Sequence, residues 1–407
     1  MEILWQLFKP QIIAVSLVLL ILIAWLVWPR KHKKTRRRLL MLNGLVILTS
    51  IVTSLHTYWP REYDKTYLND EVSTLIKSTS LKTLADSIPF YIGVATSPNS
   101  EYEELISTEF NSLVAENHFK PGSLLKDANN WEFDFSDADR IVQFAQKNDM
   151  RLRGHTLIWG KYPGMTHPVE WIDQVKKSAD PEIEMKAIIS QYIKIVMGHF
   201  KGKVVSWDVV NEPMGSKGLY SCIFTEAMGE EYIEYAFREA HKVDPDCALY
   251  LNEQIVNYSS TQAKEFLNLL TRLVAKEVPI HGVGLQSHHI NHIHDLDGMK
   301  KYIRSIAELG LDVEITELDM RLLLFGNEND PYNAQGDQYK NVVQICIADP
   351  ACKGVTLWGL TDKSNWMDAI PPFKWKSPNS PNIFDEEMKR KPAYIGIWKA
   401  LNGQSQQ

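Results

Sequence analysis

From residue 90 onward the chain alternates short β-rich runs with longer helical patterns, and this alternation limits the possible folds more than any other feature. The runs are FYIGVAT (90–96), SLVAEN (112–117), RLRGHTLIW (151–159), VVSWDVVNE (204–212), ALYLNE (248–253), GVGLQSH (282–288), DVEITE (312–317) and GVTLWG (354–359). Most are near-continuously apolar rather than alternating, as parallel strands covered on both faces must be. Between them the spacing predicts helices over roughly 136–149, 181–200, 228–243, 260–278, 296–309 and 334–347. In 260–278, Phe266, Leu269, Leu270, Leu273 and Val274 recur at helical spacing. Ser136 with Asp139 three residues on reads as a capping-box-like helix start. Eight β–α repeats read as a (β/α)8 TIM barrel, an α/β fold. About 320 residues are enough for one such barrel. No strand runs into GxGxxG, so a dinucleotide fold is not supported.

The first sixty residues belong to a different class. Residues 11–28 and 39–59 are apolar and uncharged, and seven Lys and Arg lie between Arg30 and Arg38. Each segment approaches the length needed to cross a bilayer core. Trp25, Trp28, Tyr58 and Trp59 mark the ends, as interfacial aromatics do. The basic loop is expected on the cytoplasmic side. The expectation is therefore an α/β barrel preceded by two transmembrane helices, held in membrane lipid, with everything after Pro60 on the extracytoplasmic side. A cleaved signal at the second segment is the alternative, and it too exports the large domain. The expected layout is a membrane anchor at 1–60, a polar connector at 61–80 and a barrel at 81–403.

In barrels of this kind chemistry collects at the C-terminal ends of the strands, and here those ends are polar. Glu116 and Asn117 close the second run, with Lys120 after it, and the third carries His155 and Trp159. Asn211 and Glu212 close the fourth, Asn252 and Glu253 the fifth, and Gln286, Ser287 and His288 the sixth. Glu317 closes the seventh with Asp319 just after it, and the eighth carries Trp358, with Trp366 in the next loop. A single polar strand end is commonly a structural ion-pair partner, but seven converging on one rim point to a site. Carboxylates from different strands suit a pair flanking a glycosidic bond, one protonated and one ionised. Glu212 and Glu317 are the candidates. His288, backed by Asp319, is placed to orient one of them. Trp358 and Trp366 offer flat faces for sugar rings, and Asn117, Lys120, His155 and Gln286 offer partners for hydroxyls.

Other chemistries fit less well. Net charge is −6 with a pI near 6.1, which argues against a nucleic-acid partner. His288, His289, His292 and His294 are close in sequence, but no HExxH and no nearby Cys completes a zinc set. The Asp-rich WEFDFSDADR lacks the calcium-loop pattern, and there is no GxSxG elbow. No metal and no cofactor are expected. Nothing in the sequence indicates an oligomer, so a monomer is expected.

The strings AENHFK, RGHTLIW, SWDVVNEP, LQSH, ITELD, GVTLWGLTDKSNW and FDEEMKRKPAY resemble motifs of glycoside hydrolase family 10, the retaining endo-β-1,4-xylanases. The resemblance covers about residues 78–402. It implies Glu212 as acid/base and Glu317 as nucleophile, with xylan or xylo-oligosaccharides as substrate. It also implies a sugar contact from Asn211 at the cleaved bond and binding of the next sugar by Glu116, Asn117 and Lys120. His155, Gln286 and His288 would line the centre. Cys346 and Cys352 sit where many members carry a small disulfide. Six residues apart, they suit a short bridge, although buried free thiols are an equal reading of their spacing; Cys222 and Cys247 are read as free thiols. The sequence departs from the family's usual pattern at Gly160 and Tyr162, where His and Gln are usual. It departs again at Glu253, Gln254 and Ile255, in place of Asp-Tyr-Asn. These positions put subsite preference in question. A non-catalytic sugar-binding protein and a retaining glycosidase on another β-1,4 glycan are the alternatives.

Overall fold

The structure is a computed structural model that describes residues 78–403, apart from 99–100, 291–294, 326–327, 329 and 370–378. The two apolar segments, the basic loop and connector residues 61–77 lie outside the described residues, as do His292 and His294. Among the described residues no helix is long and apolar enough to cross a membrane.

Eight strands run parallel: β1 (Tyr91–Ala95), β2 (Ser112–Val114), β3 (Arg151–Trp159), β4 (Ser206–Asn211), β5 (Ala248–Glu253), β6 (Gly282–Leu285), β7 (Asp312–Met320) and β8 (Cys352–Leu357). Each pairs with its sequence neighbour from β2 to β7, β1 pairs with both β2 and β8, and β7 pairs with β8. The β6–β7 ladder, Gly282 opposite Asp312 through Leu285 opposite Ile315, closes the barrel. The runs are apolar because both faces are covered; β4 is buried along its whole length. Helices α1 (Glu103–Glu109), α2 (Ser136–Lys147), α3 (Pro181–Phe200), α4 (Glu231–Val243), α5 (Thr261–Ala275), α6 (Leu296–Ala307), α7 (Pro331–Ala348) and α8 (Pro392–Asn402) follow the strands in turn.

The helices start where local chemistry tells them to. Asp180 accepts the Ile183 amide and Pro181 opens α3, whose Met185, Ile188, Ile189, Tyr192, Ile193 and Val196 form one buried stripe. Asp330 with Pro331 does the same for α7, and Ser260 caps α5. The helix at 136 corrects the sequence reading. Ser136 is its first helical residue and does not cap it. Asp134 does the local bonding instead, accepting the Ser136 amide at 3.0 Å and its hydroxyl at 2.6 Å.

The barrel floor is charged. Arg153 from β3 bonds Asp208 from β4 and Glu314 from β7, and Arg151 also reaches Glu314. Strands β3 and β7 are not neighbours, so these bonds cross the interior. Asp208 also meets His155 Nδ1 at 2.9 Å, so the network reaches up to the mouth. Cys346 and Cys352 form a disulfide that ties the end of α7 to the start of β8. Cys222 and Cys247 are free.

Candidate active site

Strand ends differ from the sequence reading where the mouth is built. β2 stops at Val114, three residues early, because the chain turns through Glu116 at φ 48°. Glu212, just past β4, has φ 52° and Ser287 has φ 63°. Side chains with left-handed backbone are uncommon and cluster at functional sites. At Glu212 the turn is fixed from both sides. Its amide donates to Asn252 O at 2.8 Å, and the Met214 amide donates to Glu253 at 2.8 Å. β7 runs on to Met320 because His288 and His289 pair with Asp319 and Met320. Glu317 and Asp319, two apart on this strand, face the same way.

The two carboxylates are linked through side-chain amides. Gln286 Nε2 donates to Glu212 Oε1 at 3.0 Å and to Asn211 Oδ1 at 3.2 Å. Asn252 Nδ2 donates to Asn211 Oδ1 at 2.9 Å and to Glu317 Oε1 at 2.6 Å. Asn211 thus accepts twice, while its buried Nδ2 has no partner among the described residues and is free for a ligand. His288 stands between Glu317 Oε2 at 3.0 Å and Asp319 Oδ1 at 2.9 Å. Trp366 Nε1 donates to the other oxygen of Asp319 at 2.7 Å.

Electrostatics separate the groups. Burial works against a charged His288, but Asp319 and Glu317 outweigh it and push its pKa up to about 10. Burial alone raises Glu317; the His288 hydrogen bond and the nearby His155 overcome it and hold the carboxyl below its usual range. Glu212 faces a different set. Trp159 Nε1 donates to its Oε2 at 3.3 Å, and Lys161 Nζ lies 2.8 Å from the same oxygen.

Away from Lys161 lies a cleft of about 250 Å³, lined by Ser97, Tyr102, Glu116, Trp358, Asn365 and Trp366 among others. His155 meets Trp358 edge-on at 5.1 Å. Lys120 is buried, with its ammonium 5.2 Å from the Trp159 ring centre and 5.8 Å from that of Trp358, and it donates to Asn117 at 2.7 Å. Burial keeps its pKa below the ordinary lysine range although Glu317, Glu116 and Glu212 pull upward. Of the sixteen polar and aromatic residues named from the sequence, His155 lies within β3 and Trp366 in the loop after β8, and the others lie at or near the strand ends.

Residues 80–400 match the family model described as glycosyl hydrolase family 10. The chain belongs to glycosyl hydrolase family 10. It is 33% identical over 326 residues to endo-1,4-beta-xylanase B of Thermotoga neapolitana, an alignment covering 78% of this chain and 90% of that one. Native xylanase 10B from Thermotoga maritima superposes with TM-score 0.71 at 31% identity, covering 81% of this chain and 99% of that one. Xylanase 10B from Thermotoga petrophila, solved in complex with xylobiose, superposes with TM-score 0.72 at 31% identity, covering 80% and 98%.

Against this family 10 frame, the departures have physical accounts. A Cβ at Gly160 would come within 2.4 Å of Cys222 Sγ, so Cys222 fills the space of a larger residue. Gln254 clamps the backbone of His288, donating to its carbonyl at 2.9 Å and accepting its amide at 3.3 Å. The sequence places Asn252 and Glu253 at a polar strand end without a part in the carboxylate pair, and it does not mark Lys161. Asn252 carried a signal, as a polar end of a buried strand. Gly284 carried a second one, since a Cβ there would meet Asn252 Oδ1 at 2.1 Å. Lys161 carried none, because a lysine in a turn reads as solvated surface.

Proposed function

We propose that this family 10 enzyme hydrolyses internal β-1,4-xylosidic bonds with retention of configuration. In the first step Glu317 attacks the anomeric carbon while Glu212 protonates the departing glycosidic oxygen. In the second, Glu212 takes a proton from water as the water displaces Glu317. The observation that carries this reading is the unlike treatment of two linked carboxylates. Glu317 accepts from Asn252 and from a positively charged His288, which keeps a nucleophile ionised and aimed. Glu212 stands partly open to solvent beside exchangeable partners, which suits a group that must gain and lose a proton. The free Nδ2 of Asn211 supplies a donor for a sugar hydroxyl. The cleft at Trp358 and Trp366, with Glu116, Asn117 and Lys120 beside it, holds the sugars on the non-leaving side.

Azide separates the roles. With an aryl xyloside bearing a good leaving group, azide should rescue Glu317→Ala from the face the nucleophile used, giving the α-azide. In Glu212→Ala it should attack the glycosyl-enzyme and give the β-azide. Both variants should lose about 10⁴-fold or more in kcat on xylan. The same azide anomer from both variants would overturn the assignment.

The N-terminal segments support a second part of the proposal: two spans joined by a cytoplasmic basic loop, with the barrel outside the cytoplasm. The Cys346–Cys352 disulfide is in keeping with an oxidising compartment. Attachment suits an enzyme that trims oligosaccharides near the membrane. Alkaline carbonate extraction should leave the full chain in the membrane, and protease added outside intact cells stripped of wall should reach the barrel. Release by carbonate, or complete protection, would sink the anchored reading.

A further inference from the structure

Lys161 is a charge that the proposed reaction does not use. It follows β3 in the turn that carries Tyr162, and its side chain is only 20% exposed. Its ammonium lies 2.8 Å from Glu212 Oε2 and 5.3 Å from the centre of the Tyr220 ring. Tyr162 is 60% exposed, Tyr220 is 39% exposed, and Tyr162 meets Trp159 edge-on at 5.6 Å. Neither tyrosine nor Lys161 lines the cleft at Trp358 and Trp366. Lys161 meets Glu212 Oε2 outside that cleft, with Tyr162 next to it in the chain and the Tyr220 ring beside its ammonium. If Glu212 is the acid, the side away from the cleft faces the departing sugar.

The charge around Lys161 then balances in one state of the enzyme and not in the other. While Glu212 is ionised, Lys161 is paired. When Glu212 holds the proton it must donate, that pairing is gone. The other carboxyl acting on Lys161 is Glu253. It is fully buried, and burial together with Glu212 pushes its pKa up to about 8, so near neutrality it is largely uncharged. Tyr162 and Tyr220 bring aromatic rings. A largely buried ammonium without a counter-charge is costly. A carboxylate on the departing sugar would restore the balance in the state that reacts, whereas a neutral sugar would not.

We infer that Lys161 selects substrates bearing a carboxylate, a uronic acid, on the leaving-group side of the cleaved bond. This rests on the reading of Glu212 as the acid. The test compares kcat/KM of the full chain in detergent for two xylo-oligosaccharides of equal length, one neutral and one with a uronic acid on the leaving side. The native enzyme should favour the acidic oligomer by about 10-fold at low salt, and the ratio should shrink as salt rises. Lys161→Arg should keep most of the preference, and Lys161→Met should bring the ratio close to one. A purely structural lysine would change both substrates by the same factor. A native ratio near one, or a ratio that Lys161→Met leaves intact, overturns the inference while leaving the xylanase reading standing. Failure to cleave either oligomer would overturn both.

Discussion

The two walls of the barrel mouth hold their carboxylates in opposite ways. On the β5–β7 wall, Glu317 is buried and every partner comes from a strand end or the loop beside it: Asn252, His288, and Asp319 and Trp366 behind the imidazole. On the β3–β4 wall, Glu212 sits past its strand end with a left-handed backbone, and one of its partners is a lysine from a turn. The first arrangement has one stable protonation pattern. The second has a cation whose pairing depends on whether Glu212 carries a proton. A nucleophile needs the first, and an acid that later serves as a base needs the second.

The contrast breaks most directly at Asn252. Asn252→Ala removes the 2.6 Å donor to Glu317 and the link to Asn211 and leaves the Thr316 hydroxyl, which donates to Asn252 at 2.7 Å, without its acceptor. A hydrogen bond to a charged group contributes about 1.5–3 kcal/mol, so kcat should fall roughly 10- to 100-fold. Gly284→Ala, which crowds the same amide, should move kcat in the same direction. Steady-state kinetics with an aryl xyloside reads both. A loss below about threefold in Asn252→Ala would show that the rigid wall is not needed for the nucleophile.

Asp319 sharpens the comparison through pH. It helps to hold His288 protonated up to about pH 10. Asp319→Asn removes that negative charge, so the imidazole should lose its proton at lower pH. Glu317 then loses a cationic donor on the alkaline side. The His288 imidazole, followed by NMR, should titrate about one unit or more lower in the variant, and kcat should fall at pH values above that new midpoint. An unmoved imidazole titration would show that Asp319 does not hold the proton on His288.

How much of this was readable in advance differs between the walls. The bounds of β3, β5 and α3 follow from the sequence, because long buried runs and a Pro-led amphipathic helix leave little choice. The helix α1, with seven residues, is too short for its spacing to stand out. The end of β2 was placed too late because a turn at Glu116 is made by backbone geometry, which apolar patterning does not record. On the rigid wall, Glu317, His288 and Asp319 were legible as neighbours because they occupy adjoining strand ends. On the other wall, Lys161 reaches Glu212 across 51 positions of sequence, and nothing local distinguishes it from a surface lysine. Glu253 looked like a substitution in a sugar-binding position. In the structure it is fully buried and accepts the amides of Met214 and Gln254.

Glu253 gives the smallest effect on turnover and a clear one on stability. Its folded pKa, about 8, lies above the ordinary glutamate value. The folded state therefore holds a proton that the unfolded chain releases. Stability from this group is fully present below the unfolded pKa of about 4.3 and is lost as pH rises toward and through 8. Glu253→Gln keeps an acceptor for one of the two amides and cannot ionise. Between pH 5 and 8 the melting temperature of the variant should fall less steeply than that of the native protein. The difference at pH 8 should correspond to a few kcal/mol. If the two melting curves instead ran parallel across that range, Glu253 would be ionised in the folded state. Lys161 would then keep a counter-charge when Glu212 is protonated, and the contrast between the two walls would lose the part that rests on that lysine.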